Sequence, residues 1–205
     1  MNRIETVVRR EAWDVARRLS EMGLDRQKFL NVRDVALSAM ADATPFHPAN
    51  AAGTFAYQHG TFALRSEFVG DEWVVDRNTS VEAIRNDNAR LRVVYSNVDI
   101  ACDDNQKPMP RSRKGAGSER ICNGNLFPHL PEYVLGQDDE YETFFLMVDE
   151  RGACELTKAT IKGGSFSEWP ERIYLADGAD PFDGEAMPLD DEGPIDNFDP
   201  QVIRK

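Results

Sequence analysis

Apolar residues in the first seventy positions recur at the spacing of α-helices. The run 51–68 predicts one helix, which two internal glycines weaken. Asp25 can cap another, and Thr44 and Pro45 end it because the residue before a proline leaves helical backbone. Gly23 is suited to end the first helix, whose apolar face holds Ile4, Val8, Ala12, Val15, Leu19 and Met22.

After residue 70 the apolar positions change to the alternation of strands. β-branched and aromatic runs predict strands at 73–76, 81–85, 90–96, 142–149, 153–161 and 171–176, with turns between them at 86–88, 150–152 and 162–164. Residues 102–139 show no period and predict a long irregular excursion. We therefore expect an α+β fold in which N-terminal helices pack on an antiparallel sheet.

Acidic residues are concentrated at the C-terminal end. Residues 177–205 hold nine acids and two bases, and prolines interrupt them, so a regular helix is not expected there. A length of 205 residues is near the upper bound of one ordinary domain. We expect a single domain over 1–176, followed over 177–205 by an acidic tail that is extended or disordered.

One stretch carries charge opposite to that of the whole chain. The chain has 24 basic and 36 acidic residues and a net charge of -12, whereas residues 107–120 hold five cations and one acid. A positive island concentrates field where the remaining surface repels anions, and guanidinium groups beside glycine backbone suit phosphate oxygens. The predicted partner-binding or phosphate-binding residues, expected to be exposed and unpaired, are Lys107, Arg111, Arg113, Lys114 and Arg120.

The alternative is that this loop neutralises acids of its own molecule, such as Asp103, Asp104 or the tail. A nucleotide-binding motif does not match, because Lys114 precedes Gly115 and Gly117 instead of following them. If the loop contacts nucleic acid, the contact is local, since a net charge of -12 repels a polyanion elsewhere.

A metal-dependent nuclease is a weaker hypothesis. Such sites use a Glu and a Lys two residues apart on a strand, so that both emerge on one face beside an acid of a neighbouring strand. Asp99 follows a predicted strand, but Glu155 and Lys158 are three residues apart and point to opposite faces. A pair formed by Glu82 and Asp99 keeps the hypothesis open.

Cysteine and histidine spacings predict neither zinc nor a nucleophile. Cys102, Cys122 and Cys154 form no CxxC pair, and the chain lacks both HExxH and GxSxG. We expect free thiols, no cofactor, no bound metal and no catalytic residue.

The leading functional hypothesis is a non-catalytic binding protein that docks on another protein through the 107–120 loop, with nucleic acid or phosphate as a contact local to that loop. The second is an acidic inhibitor or decoy that occupies the basic groove of a nucleic-acid-handling protein, and the nuclease is third. Without a run of about 20 apolar residues or a secretory signal, we expect a cytoplasmic protein with no membrane partner.

Overall fold

The computed structural model describes residues 5–77, 80–123 and 141–178. Within them it has four helices and seven strands, which confirms the α+β class. Residues 179–205 of the predicted tail lie outside the described residues. The helices are α1 (Ala12–Glu21), α2 (Arg26–Ala41), α3 (Ala51–Phe68) and α4 (Ala116–Asn123); the strands are β1 (Val7–Arg9), β2 (Val74–Asp76), β3 (Ala83–Asn86), β4 (Leu91–Asn97), β5 (Glu142–Val148), β6 (Ala153–Lys162) and β7 (Ser165–Asp177).

The strands form one mixed sheet in the order β1-β7-β6-β5-β4-β3-β2. The predicted hairpins are antiparallel, whereas β4 pairs with β5, and β1 with β7, in parallel. The antiparallel prediction missed these two pairs. Parallel neighbours need a long crossover, and the excursion between β4 and β5 supplies one.

The first predicted helix is wrong over its N-terminal part. Val7–Arg9 is a strand whose register partners are Glu171–Ile173, and α1 begins only at Ala12. The Arg9 guanidinium donates hydrogen bonds to the carboxylates of Glu171 at 2.8 Å and Asp14 at 2.9 Å, which fasten the strand to the sheet edge and to α1. Pairing with β7 therefore overrides the helical spacing of the local sequence.

The next two helices are confirmed. The Asp25 carboxylate accepts a hydrogen bond from the Lys28 amide at 2.9 Å and caps α2. In α3, Gly60 lies against the Tyr95 ring of β4, and a Cβ at this position would meet that ring at 2.5 Å. This glycine thus allows α3 to approach the sheet closely instead of breaking the helix.

Two apolar clusters cover the two faces of the sheet. Helices α1, α2 and α3 pack on one face with Val93, Leu146 and Leu156, while α4 packs on the other, where Val94, Phe145 and Ile161 are buried. Burial on both faces explains the nearly continuous apolar runs of β4 and β5. In the described part of the chain, no helix combines the length and apolarity needed to cross a bilayer.

The excursion after β4 is only partly irregular. Helix α4 lies within it and was not predicted, because its eight residues show no clear apolar period. Residues 124–140 lie outside the described residues.

Candidate functional site

The segment that follows β4 closes on itself before it reaches α4. Val98 forms a bridge with Pro110, and the Arg111 amide donates to the Asn97 carbonyl at 3.2 Å. Asp99 completes the closure, since its carboxylate accepts a hydrogen bond from the Met109 amide at 2.8 Å. The segment thus leaves and returns at the end of β4, which places residues 111–114 at that end of the sheet.

Buried charged side chains hold the inner part of this segment. Glu155 and Arg172 are fully buried and pair at 2.7 Å. The Glu155 carboxylate accepts from the Cys102 amide at 2.6 Å, and the Arg172 guanidinium donates to the Asp103 carbonyl at 2.7 Å. The same carboxylate that sequence reasoning considered for a nuclease therefore has a structural role.

The five predicted cations do not form one exposed patch. Arg113 and Arg120 are exposed and form no ion pair within the described ranges, and Lys107 is half-buried and engaged in an interaction. The charged groups of Arg111 and Glu150 are in contact. The expectation of free, exposed cations is thus wrong for Lys107, for Arg111 and for Lys114, whose amine is buried. Partner binding by these residues stays a prediction.

Lys114 directs its amine toward the sheet. Its Nζ donates a hydrogen bond to the Ser96 hydroxyl at 2.7 Å and lies over the rings of Phe145 and Phe166, at 5.7 and 5.6 Å from their centroids. It forms no ion pair with a carboxylate of the described residues. Burial lowers the pKa of Lys114 to about 8 because the ammonium form loses hydration.

Gly164, in the turn between β6 and β7, lies against both Arg113 and Lys114. The Lys114 amide donates to the Gly164 carbonyl at 2.8 Å. The aliphatic stem of Arg113 lies directly over Gly164, where a Cβ would meet the Arg113 Cγ at 2.5 Å. Gly164 has a φ of +84°, so the β6–β7 turn uses a glycine both for its left-handed backbone and for this close approach.

A cleft of about 410 Å³ lies beside this lysine. It is at the carboxyl ends of the parallel strands β4 and β5, the edge at which open sheets with parallel strands commonly bind ligands. Arg111 and Glu150 line one side, and the first turn of α3 lines the other. Residues that contribute polar groups or backbone to the lining include Asn50, Thr54, Tyr57, Asn97, Ser112 and Lys114.

The first turn of α3 is only partly capped at this cleft. The Ala51 amide donates to the Pro48 carbonyl at 2.9 Å and the Thr54 amide to the Asn50 carbonyl at 3.0 Å, whereas the amides of Ala52 and Gly53 have no backbone acceptor within the described residues and the Asn50 side chain does not cap them. Asn97 Nδ2 donates to the Gly53 carbonyl at 2.8 Å, which fixes this turn against the end of β4. The helix dipole adds partial positive charge to the same wall of the cleft.

Tyr57 stands at the α3 side of the cleft. It is 39% exposed, and burial together with the negative charge of Glu82 raises the pKa of its hydroxyl. The hydroxyl therefore stays protonated at neutral pH and can donate a hydrogen bond to a ligand.

The structure gives no metal centre in its described part. Residues 5–77, 80–123 and 141–178 hold no group of three or more side chains suited to bind a metal ion. The nuclease candidates are engaged separately: Glu82 with Arg65, Glu155 with Arg172, and Lys158 with Glu142. Of the three histidines that could ligate a metal, His129 lies outside the described residues, and the three thiols are free.

The basic residues of the cleft were visible in the sequence, but the rest of its lining was not. Asn97, Glu150 and the first turn of α3 had no local signal. The long connection between β4 and β5 was the usable signal, because strands joined by a long connection can pair in parallel. The carboxyl ends of a parallel pair lie at the same edge of the sheet. In comparisons with known proteins, no family model, no curated protein and no solved structure matches this chain.

Proposed function

We propose that this chain is a non-catalytic binding protein that seats a phosphate group of its partner in the cleft between residues 111–114 and α3. One observation carries the proposal: Arg111 and Lys114 line the same cleft as the first turn of α3, which no side chain caps. Side-chain cations and helical amides together supply charge and directed donors for phosphate oxygens.

The charge balance favours a single phosphate group over an extended polyanion. The cleft holds Arg111 and Lys114 against Glu150, a net of one positive charge, within a chain of net charge -12. A nucleic acid running beyond the cleft would meet negative surface. A volume of about 410 Å³ also falls in the range of small-molecule sites.

The ion pair between Arg111 and Glu150 does not prevent anion binding. Both side chains are well exposed, at 43% and 57%, and an exposed pair contributes about 0–1 kcal/mol. A hydrogen bond from a guanidinium to a charged phosphate contributes about 1.5–3 kcal/mol. Replacing the contact of Arg111 with Glu150 by a contact with phosphate is therefore favourable.

The test is calorimetric titration with inorganic phosphate, phenyl phosphate and a short single-stranded oligonucleotide. Arg111→Gln should weaken phosphate binding about tenfold, the equivalent of about 1.4 kcal/mol. Arg151→Gln is the matched control, since Arg151 is an exposed neighbour of Glu150 that does not line the cleft. Equal losses in both variants, or no phosphate binding by the unmodified chain, would contradict the proposal.

Two further variants define the extent of the site. Glu150→Gln removes the competing carboxylate, so phosphate should bind about fivefold more tightly, the equivalent of about 1 kcal/mol of relieved repulsion. Arg120→Gln tests whether the rest of the 107–120 loop takes part, because Arg120 is exposed on α4 and outside the cleft lining. The acidic-inhibitor alternative predicts instead that removal of residues 179–205 abolishes partner binding.

A further inference from the structure

The cleft is larger than the phosphate group that the proposed function places in it. A phosphate group takes about the space of three water molecules, and at ~30 Å³ for each water this is roughly a fifth of the cleft volume of about 410 Å³. Uncharged side chains make up much of the remaining lining, among them Asn50, Thr54, Tyr57 and Ser112. The cleft therefore has room, and polar and aromatic contacts, for the group that carries the phosphate.

Tyr57 offers a flat aromatic surface at this cleft. It belongs to the cleft lining and keeps 39% of its surface exposed. The ring of Tyr95 on β4 lies beside it, with the two ring centroids 6.5 Å apart. Tyr95 is itself buried against Gly60 of α3, so the support of the Tyr57 ring is rigid. Tyrosine rings held in this way are the surfaces on which nucleic-acid bases stack.

This ring lies at a defined distance from the phosphate seat. The seat consists of Arg111 and the amides of Ala52 and Gly53 in the first turn of α3. Tyr57 follows Gly53 by four residues on the same helical face, and a rise of roughly 1.5 Å for each residue puts about 6 Å between them along the helix axis. A ligand that fills both places needs a phosphate and a flat ring joined by a spacer of that length.

We infer that the cleft binds a mononucleotide, with its phosphate on Arg111 and the α3 amides and its base stacked on the ring of Tyr57. The inference rests on the proposed function, since the phosphate seat fixes one end of the ligand. The sugar separates phosphorus from the base by six covalent bonds of about 1.5 Å each, which span about 6 Å without full extension. An aryl phosphate has two bonds between phosphorus and its ring, so its ring stays too close to the phosphate to reach Tyr57.

The surrounding charges favour one phosphate group over a chain of them. The Glu150 carboxylate lines the same cleft, and the whole chain carries a net charge of -12. The additional phosphates of a nucleoside triphosphate would bring more negative charge close to that carboxylate, and like charges repel. Base stacking, in contrast, uses the face of the ring and tolerates any of the four bases. The ligand class is therefore the nucleoside monophosphates.

The test is calorimetric titration of the full chain with adenosine 5′-monophosphate, ribose 5-phosphate and adenosine 5′-triphosphate, at one ionic strength and without divalent cations. The monophosphate should bind about tenfold more tightly than ribose 5-phosphate, the equivalent of about 1.4 kcal/mol from stacking of the base. The triphosphate should bind no more tightly than the monophosphate. Equal binding of adenosine monophosphate and ribose 5-phosphate overturns the inference, and so does tighter binding of the triphosphate.

Substitutions of Tyr57 assign the stacking contact. Tyr57→Leu should remove the advantage of adenosine monophosphate and leave binding of ribose 5-phosphate within about twofold, whereas Tyr57→Phe keeps the ring and should keep the advantage. Phe62→Leu is the matched control, because Phe62 is an exposed aromatic residue of α3 outside the cleft lining. An advantage that survives in Tyr57→Leu, or one that Phe62→Leu removes equally, overturns the assignment.

A second measurement does not depend on a substituted protein. In the unmodified chain, adenosine monophosphate should shift the NMR resonances of the Tyr57 ring protons through the ring current of the base, and ribose 5-phosphate should not. Unchanged Tyr57 resonances in the presence of saturating adenosine monophosphate would overturn the stacking contact.

The outcomes separate this inference from the proposed function. Equal binding of ribose 5-phosphate and adenosine monophosphate, with both weakened by Arg111→Gln, overturns the mononucleotide and leaves the phosphate seat. Absence of binding by inorganic phosphate, ribose 5-phosphate and adenosine monophosphate alike overturns both. Binding of adenosine as tight as that of its monophosphate also overturns both, because the phosphate would then contribute nothing.

Discussion

The buried amine of Lys114 should make the stability of this protein rise with pH in a way that a single substitution removes. The pKa of Lys114 is lowered from 10.5 to about 8, so between these values the unfolded chain binds a proton that the folded chain does not. Stability rises with pH wherever the unfolded state binds more protons. The folded protein therefore carries a penalty below pH 8, which is relieved as the pH approaches 10.5.

The size of this change in the free energy of unfolding follows from the pKa shift of Lys114 and from the two aromatic rings that oppose the shift. A difference between 10.5 and about 8 corresponds to about 3 kcal/mol at 1.36 kcal/mol for each pH unit. The faces of Phe145 and Phe166 stabilise the ammonium form by about 0.5–1 kcal/mol, which reduces the penalty. We expect the unmodified chain to gain about 2–3 kcal/mol relative to Lys114→Met between pH 7 and pH 10.5.

The assay is urea unfolding of the two proteins across this pH range, followed by circular dichroism. The difference between the two curves isolates Lys114, because other titrating groups contribute equally to both; burial raises the pKa of both Cys102 and Cys122 to about 12, beyond the window. Lys158→Met is the matched control, since Lys158 pairs with Glu142 at the surface. Parallel curves for Lys114→Met and the unmodified chain would refute the reasoning, because the amine would then be hydrated in the folded state.

Two further predictions concern packing and the buried ion pair. Gly60→Ala should destabilise the fold by about 1–3 kcal/mol, since its Cβ would overlap the Tyr95 ring, and an unchanged urea midpoint would contradict this close approach. Arg172→Met should cost about 3–5 kcal/mol because it leaves Glu155 buried without its partner, and Arg172→Met combined with Glu155→Leu should recover part of that loss. Calorimetric unfolding of the single and double variants measures the recovery, and a double variant no more stable than the single one would argue against this cause.

Local patterns in the sequence determined the elements whose bonds are local. Asp25 caps α2 through the amide three residues later, and the β3–β4 and β5–β6 hairpins join neighbouring segments. In both cases the interacting groups are close along the chain, so spacing and turn residues suffice to predict them. The basic composition of 107–120 was equally visible.

Tertiary structure alone decided how the side chains of that basic segment are placed. The sequence shows only that position 114 carries a basic side chain. Water is removed from its amine by contacts with residues of distant strands, namely Ser96, Phe145 and Phe166. The pairing of Arg111 with Glu150, and the cleft they share with α3, depend on β4 and β5 lying parallel. These features arise from contacts between residues far apart in the chain, whose free energy depends on burial and orientation, and periodicity along one segment carries no information about either.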